Sequence, residues 1–111
     1  MLFRSDVLEH VGLQGEFESF FAEFAEYWRI LKPGGLMCGT TPAWDSVWAW
    51  GDPGHTRVIS EATLVYLNQR EYKLQIGKTA MTDYRPWWNL NFELIACKYE
   101  DEGFAFVLQK S

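Results

Sequence analysis

The clearest periodicity in the chain is helical. Phe17, Phe20, Phe21, Phe24, Trp28 and Leu31 recur every three or four residues as one apolar stripe. Glu16, Glu18, Ser19, Glu23 and Glu26 take the opposite side. Acidic residues early, with Arg29 and Lys32 late, suit the helix dipole. Lys32-Pro33-Gly34-Gly35 then stops the helix, because proline cannot continue the hydrogen-bond ladder and glycine accepts a positive φ. Before it, Met1 to Phe3 is a short apolar run that predicts a strand. Asp6 to Val11 reads as the strand end and a first helical turn, and Gly12 to Gly15 breaks the pattern.

Leu36 to Thr41 is a nearly unbroken apolar and threonine run, the pattern of a strand covered on both faces. Pro42 to Thr56 predicts a long structured loop. Ser60 is a good N-cap with Glu61 just inside, and the spacing predicts one helix to about Tyr72. Lys73 to Trp88 has no clear period. Phe92 to Tyr99 and Phe104 to Leu108 predict a hairpin around Glu100-Asp101-Glu102-Gly103. The order is strand, helix, strand, loop, helix, hairpin. It predicts a single α/β domain over 1–111. We expect about four strands, parallel at the first two and antiparallel through the hairpin, with helices on the faces of the sheet.

Composition narrows the function classes. With 111 residues, 48% hydrophobic and 17% aromatic, the chain is a folded globular protein, not a disordered one. The net charge is −5, with no Lys/Arg block, so neither nucleic acid nor an anionic membrane surface is expected as a partner. No apolar run reaches membrane-spanning length. Cys38 and Cys97 are the only cysteines, and both lie in apolar strand-like runs. Buried free thiols and a cytoplasmic setting are expected.

Four motifs then fall in a telling order: Asp6-Val7-Leu8-Glu9-His10-Val11, Arg29-Ile30-Leu31-Lys32-Pro33-Gly34-Gly35, Thr40-Thr41-Pro42, and Asp52-Pro53-Gly54-His55-Thr56-Arg57 leading into Ser60. From about Phe3 to Leu108 the chain resembles the C-terminal half of a class I S-adenosylmethionine-dependent methyltransferase of the type 11/12 kind. The resemblance implies a partial Rossmann-like sheet whose last strand is inserted antiparallel. It implies S-adenosylmethionine as the cofactor of the complete family, with Ser5, Asp6 and His10 as candidate cofactor contacts. The glycine loop and the ribose-binding acid of that family have no counterpart in these residues. The expectation is therefore a truncated domain that binds no cofactor alone.

Three groups of residues carry candidate chemistry. Asp6, Glu9 and His10, at helical spacing, would form one face able to hold a divalent ion or move a proton; the competing reading has Asp6 capping the helix and the other two in local hydrogen bonds. His55 and Arg57, placed by the resemblance beside the substrate mouth, offer an acid or base and an anion clamp; alternatively His55 and Asp52 only pin the loop. Trp44, Trp48 and Trp50, with Asp45, would line an apolar pocket or pack the loop on the sheet. Trp87-Trp88 fits core, lid or dimer contact equally.

The expectation for function is a methyltransferase-like domain, inactive by itself and without a bound metal. It becomes active only with a complementary N-terminal half. Two other classes stay open: a homo-oligomeric structural protein joined through the Leu2 to Arg4 edge, and a small-molecule binding module using the Trp44 to Arg57 loop.

Overall fold

A computed structural model describes all 111 residues. β1 (Leu2–Ser5) and β2 (Leu36–Pro42) pair in parallel, with Phe3 beside Cys38 and Ser5 beside Thr40. The crossover between them is α1 (Phe17–Ile30), formed by the aromatic stripe and ended at Leu31, whose extended backbone leads into Pro33 and a positive-φ Gly34. β3 (Phe92–Glu100) and β4 (Gly103–Lys110) form the expected hairpin. Its turn residues Asp101 and Glu102 have φ of 51° and 63°, the left-handed pair that a tight hairpin turn requires. β4 lies between β2 and β3, antiparallel to both, so the order of the open sheet is β1-β2-β4-β3.

Two further segments differ from expectation. The Pro42 to Thr56 loop contains a short helix, α2 (Val47–Gly51). The single helix from Ser60 to Tyr72 is instead α3 (Glu61–Leu64), a 3₁₀ turn over Val65–Leu67, and α4 (Gln69–Gln75). Ser60 caps α3 in a reciprocal capping box with Thr63. Asn68 causes the break. Its backbone is extended, and its side chain caps α4 through the Glu71 N–H while donating to the Phe92 carbonyl.

The core forms where the helices meet one face of the sheet. Phe20, Phe21, Phe24 and Tyr27 of α1 pack with Leu64, Leu67 and Tyr72 against Met37, Phe92, Phe104, Phe106 and Leu108. Each such side chain contributes about 1.5–3 kcal/mol by leaving water. Tyr27 is deeper than the Trp28 of the predicted stripe, which is half-buried and donates its indole N–H to the Asn91 carbonyl. Trp88 is core, with its indole N–H on the Leu67 carbonyl, whereas Trp87 is exposed against Phe17.

The other face of the sheet is bare. Along β2, Met37, Gly39 and Thr41 are buried while Cys38 and Thr40 point away from the helices. This corrects the expectation of a strand covered on both faces, and of helices on both sides. The register sets Phe3, Cys38, Val107 and Ala96 in one row and Ser5, Thr40, Ala105 and Lys98 in the next. Together they line an open concavity of about 460 Å³. Phe3 is 67% exposed there. Both cysteines are free thiols but only half-buried, a second correction, with Cys38 on the bare face. Burial still pushes the Cys97 thiol up from its ordinary value. No helix is long and apolar enough to cross a membrane.

Candidate functional site

The carboxyl ends of adjacent parallel strands are where open α/β sheets take ligands. Here β1 runs into a 3₁₀ turn, Leu8–His10, and β2 runs into the loop that carries α2 and Asp52 to Arg57. The two segments are clipped together by backbone. The Glu9 carbonyl accepts from both the Thr56 and Arg57 N–H groups, at 2.9 and 3.1 Å.

Asp6 stands apart from the group the sequence suggested. It sits at φ 54°, exposed, with its own N–H on the Thr40 carbonyl. The turn begins at Val7 with no side-chain cap, so Asp6 does not cap it. Because the turn is 3₁₀ and one residue is left-handed, the helical face expected for Asp6, Glu9 and His10 does not form. Ser5 is also exposed and pairs its hydroxyl with Thr40.

His55 takes the place of Asp6. One ligand atom each from Glu9, His10 and His55 lies within 4.8 Å of the others. The two imidazoles meet edge to face, with centroids 4.8 Å apart. His10 Nδ1 is 2.8 Å from the Gly54 carbonyl, and His55 Nδ1 is 2.6 Å from the Trp48 carbonyl. A carbonyl only accepts, so each Nδ1 carries the proton and each Nε2 keeps its lone pair in the neutral ring. His10 Nε2 faces Glu9 Oε1 at 3.8 Å, and His55 Nε2 faces Asp52 Oδ2 at 3.5 Å. The Glu9 side chain is 3% exposed and its Oε2 has no hydrogen-bond partner. Burial raises the pKa of this carboxyl, a backbone N–H interaction at Glu9 opposes it, Asp6 adds to the rise, and the two histidines oppose it. Asp52 Oδ1 accepts from the Gly54 N–H and fixes the turn that aims His55.

Arg57 is buried at 6% exposure and binds backbone carbonyls through two of its three nitrogens. Its Nε donates to the Val11 carbonyl, and one terminal nitrogen donates to those of Leu13 and Glu16. The neighbouring Thr56 hydroxyl donates to the Gly12 carbonyl. The guanidinium therefore pins the loop between β1 and α1 in place of the anion clamp suggested by its type. Desolvation lowers its pKa, against a smaller opposing effect of Glu16.

Trp44, Trp48 and Trp50 are more than half exposed and do not pack on the sheet. The Trp48 indole N–H donates to Glu102 in the β3–β4 turn, and that of Trp50 to the Trp44 carbonyl. Asp45 is exposed beside them. The concavity of about 460 Å³ on the sheet face includes none of these indoles in its lining.

The sequence reading thus found Glu9, His10, Asp52 and His55 but assigned them to two separate groups. The Asp52-Pro53-Gly54-His55 turn was the available signal, since it returns the chain after β2 toward the end of β1. Comparison of the chain with protein-family models, with curated proteins and with solved structures returns no match.

Proposed function

We propose that the chain is a methyltransferase-like half-sheet whose bare face and β1 edge form an assembly surface for a second copy. Taken alone, these residues do not transfer methyl groups. The observation that carries the reading is the sheet order. A parallel β1–β2 pair beside an antiparallel inserted β4 is the order that the C-terminal half of a Rossmann-like methyltransferase sheet would take. It agrees with the four sequence motifs that suggested that family. The uncovered row of Phe3, Cys38, Val107 and Ala96 adds an apolar surface next to an edge strand paired on one side only. Two copies related by a two-fold axis would cover both.

Light scattering tests the assembly. A dimer or larger species at about 10–100 µM, a range that reports micromolar self-association, is expected. A monomer throughout that range, with the amides of Leu2 to Arg4 exchanging freely, sinks it. Calorimetry with S-adenosylmethionine tests the other half: no binding at about 1 µM affinity is expected from these residues alone. A second reading, a small-molecule site on the Trp44 to Arg57 loop, has the exposed indoles in its favour. A thermal-shift hit lost in Trp48→Ala but kept in Phe3→Glu would select it.

A further inference from the structure

The geometry points to a divalent transition-metal site at Glu9, His10 and His55, with Zn²⁺ as the fitting ion and Asp52 or water as fourth ligand. The proposal is independent of the assembly surface, which shares none of these residues. Three observations converge on it.

The first is the orientation of the histidines. Both Nδ1–H groups are held by backbone carbonyls, of Gly54 and of Trp48. This is the outer-shell arrangement that fixes a metal-binding imidazole in the tautomer with a free Nε2. Two rings from different loops, each held the same way, turn toward one another at a 4.8 Å centroid separation.

The second is what those nitrogens face. At neutral charge, the lone pair of His10 Nε2 looks at Glu9 Oε1 across 3.8 Å, and that of His55 Nε2 looks at Asp52 Oδ2 across 3.5 Å. Both separations are too long for a hydrogen bond of normal strength. A cation placed among these atoms would take nitrogen and oxygen lone pairs from both contacts. Zinc–ligand bonds of about 2.0–2.2 Å place neighbouring ligand atoms roughly 3–3.5 Å apart. One ligand atom from each of Glu9, His10 and His55 lies within 4.8 Å of the others, somewhat wider than a bound set.

The third is Glu9 itself. Its carboxylate is all but excluded from water, and Oε2 is without a partner. A buried carboxylate left so is costly unless a proton or a cation neutralises it.

Ligand type selects the metal. Two imidazoles and a carboxylate suit zinc and its first-row neighbours, whereas magnesium and calcium prefer all-oxygen shells. Cys38 belongs to the bare sheet face and is not part of the set. The ion would join the turn after β1 to the loop after β2, the two segments already clipped at the Glu9 carbonyl.

The test is zinc titration of the full 111-residue chain, stripped beforehand with a chelator. Calorimetry and metal analysis are run on wild type, His10→Ala, His55→Ala, Glu9→Gln and Cys38→Ser, with circular dichroism confirming each fold. Expected is one zinc per chain with a Kd at or below about 1 µM, weakened by roughly 10–100-fold or more in the three ligand variants and unchanged in Cys38→Ser. Mg²⁺ at the same concentrations should not compete. Cobalt loading gives a check that does not depend on affinity: visible d–d bands of a tetrahedral nitrogen and oxygen site, absent in His55→Ala. No uptake by wild type overturns the proposal. So does zinc retained by a folded His10→Ala/His55→Ala double variant.

Discussion

The ring of Phe106 occupies the space that a side chain on Gly39 would need. The two residues are register partners on β4 and β2, and a Cβ built on Gly39 would stand 2.3 Å from the Phe106 Cζ. Glycine at this position therefore lets a core ring of β4 lie against the neighbouring strand. Gly39→Ala should destabilise the fold by about 1–3 kcal/mol through overpacking. The urea midpoint followed by tryptophan fluorescence is the measurement. An unchanged midpoint would show that Phe106 swings aside at no cost.

Arg57 holds three carbonyls of the segment between β1 and α1. Arg57→Ala removes the donor of the Val11 carbonyl, whereas the carbonyls of Leu13 and Glu16 keep backbone donors from Glu16 and Phe20. A loss of about 1–3 kcal/mol is expected, and Arg57→Lys should restore little, because an ammonium lacks the guanidinium fork. Equal stability of the alanine variant and wild type would contradict this structural role and reopen an anion-binding one.

Glu9 gives a pH dependence with a defined sign. Its pKa is raised in the fold, chiefly by burial, above the ordinary 4.5. The native state therefore holds this proton more tightly than the unfolded chain does. The favourable contribution is fully present below pH 4.5 and is lost as pH rises through the folded pKa. In chelator, Glu9→Gln should raise the melting temperature at pH 7 and leave it unchanged at pH 4. With zinc present, wild type should regain or exceed the variant. A lower melting temperature for Glu9→Gln at pH 7 in chelator would show that the carboxylate is already satisfied.

Phe3 is mostly exposed on the bare face of the sheet, where it contributes little to the core. Phe3→Glu should therefore change stability by no more than about 0.5 kcal/mol, as for other surface substitutions. It should nonetheless break self-association, because a charge would be buried between the two copies. Sedimentation of both proteins at matched concentration measures it. Association that survives the substitution would place the interface elsewhere.

Much of the fold was legible along the chain. The 3.6-residue stripe of phenylalanines can only be one buried helix face, and the Lys32-Pro33-Gly34-Gly35 stop can only be a helix end. The hairpin followed from two apolar runs around an acidic turn. These are local properties, set by the backbone period and by which residues proline and glycine permit. What lay beyond reach was non-local. Asn68 breaks a helix that propensity would continue, because its side chain finds the Phe92 carbonyl 24 residues away. The alternation along β2 does not say which face will be covered, since a run of small apolar residues fits one cover or two.

The candidate site divides in the same way. Residue type alone marked Glu9, His10, Asp52 and His55 as groups that bind protons or metals. Their grouping was decided in three dimensions. The chain leaves β2, turns at Asp52 to Gly54, and returns to the Glu9 carbonyl, so that His55 arrives beside His10 while Asp6, four residues away in sequence, points to solvent. Sequence determined which side chains carry chemistry, because that is a property of each residue. Tertiary structure decided which of them share an environment, because separation along the chain fixes no distance once two strands lie side by side.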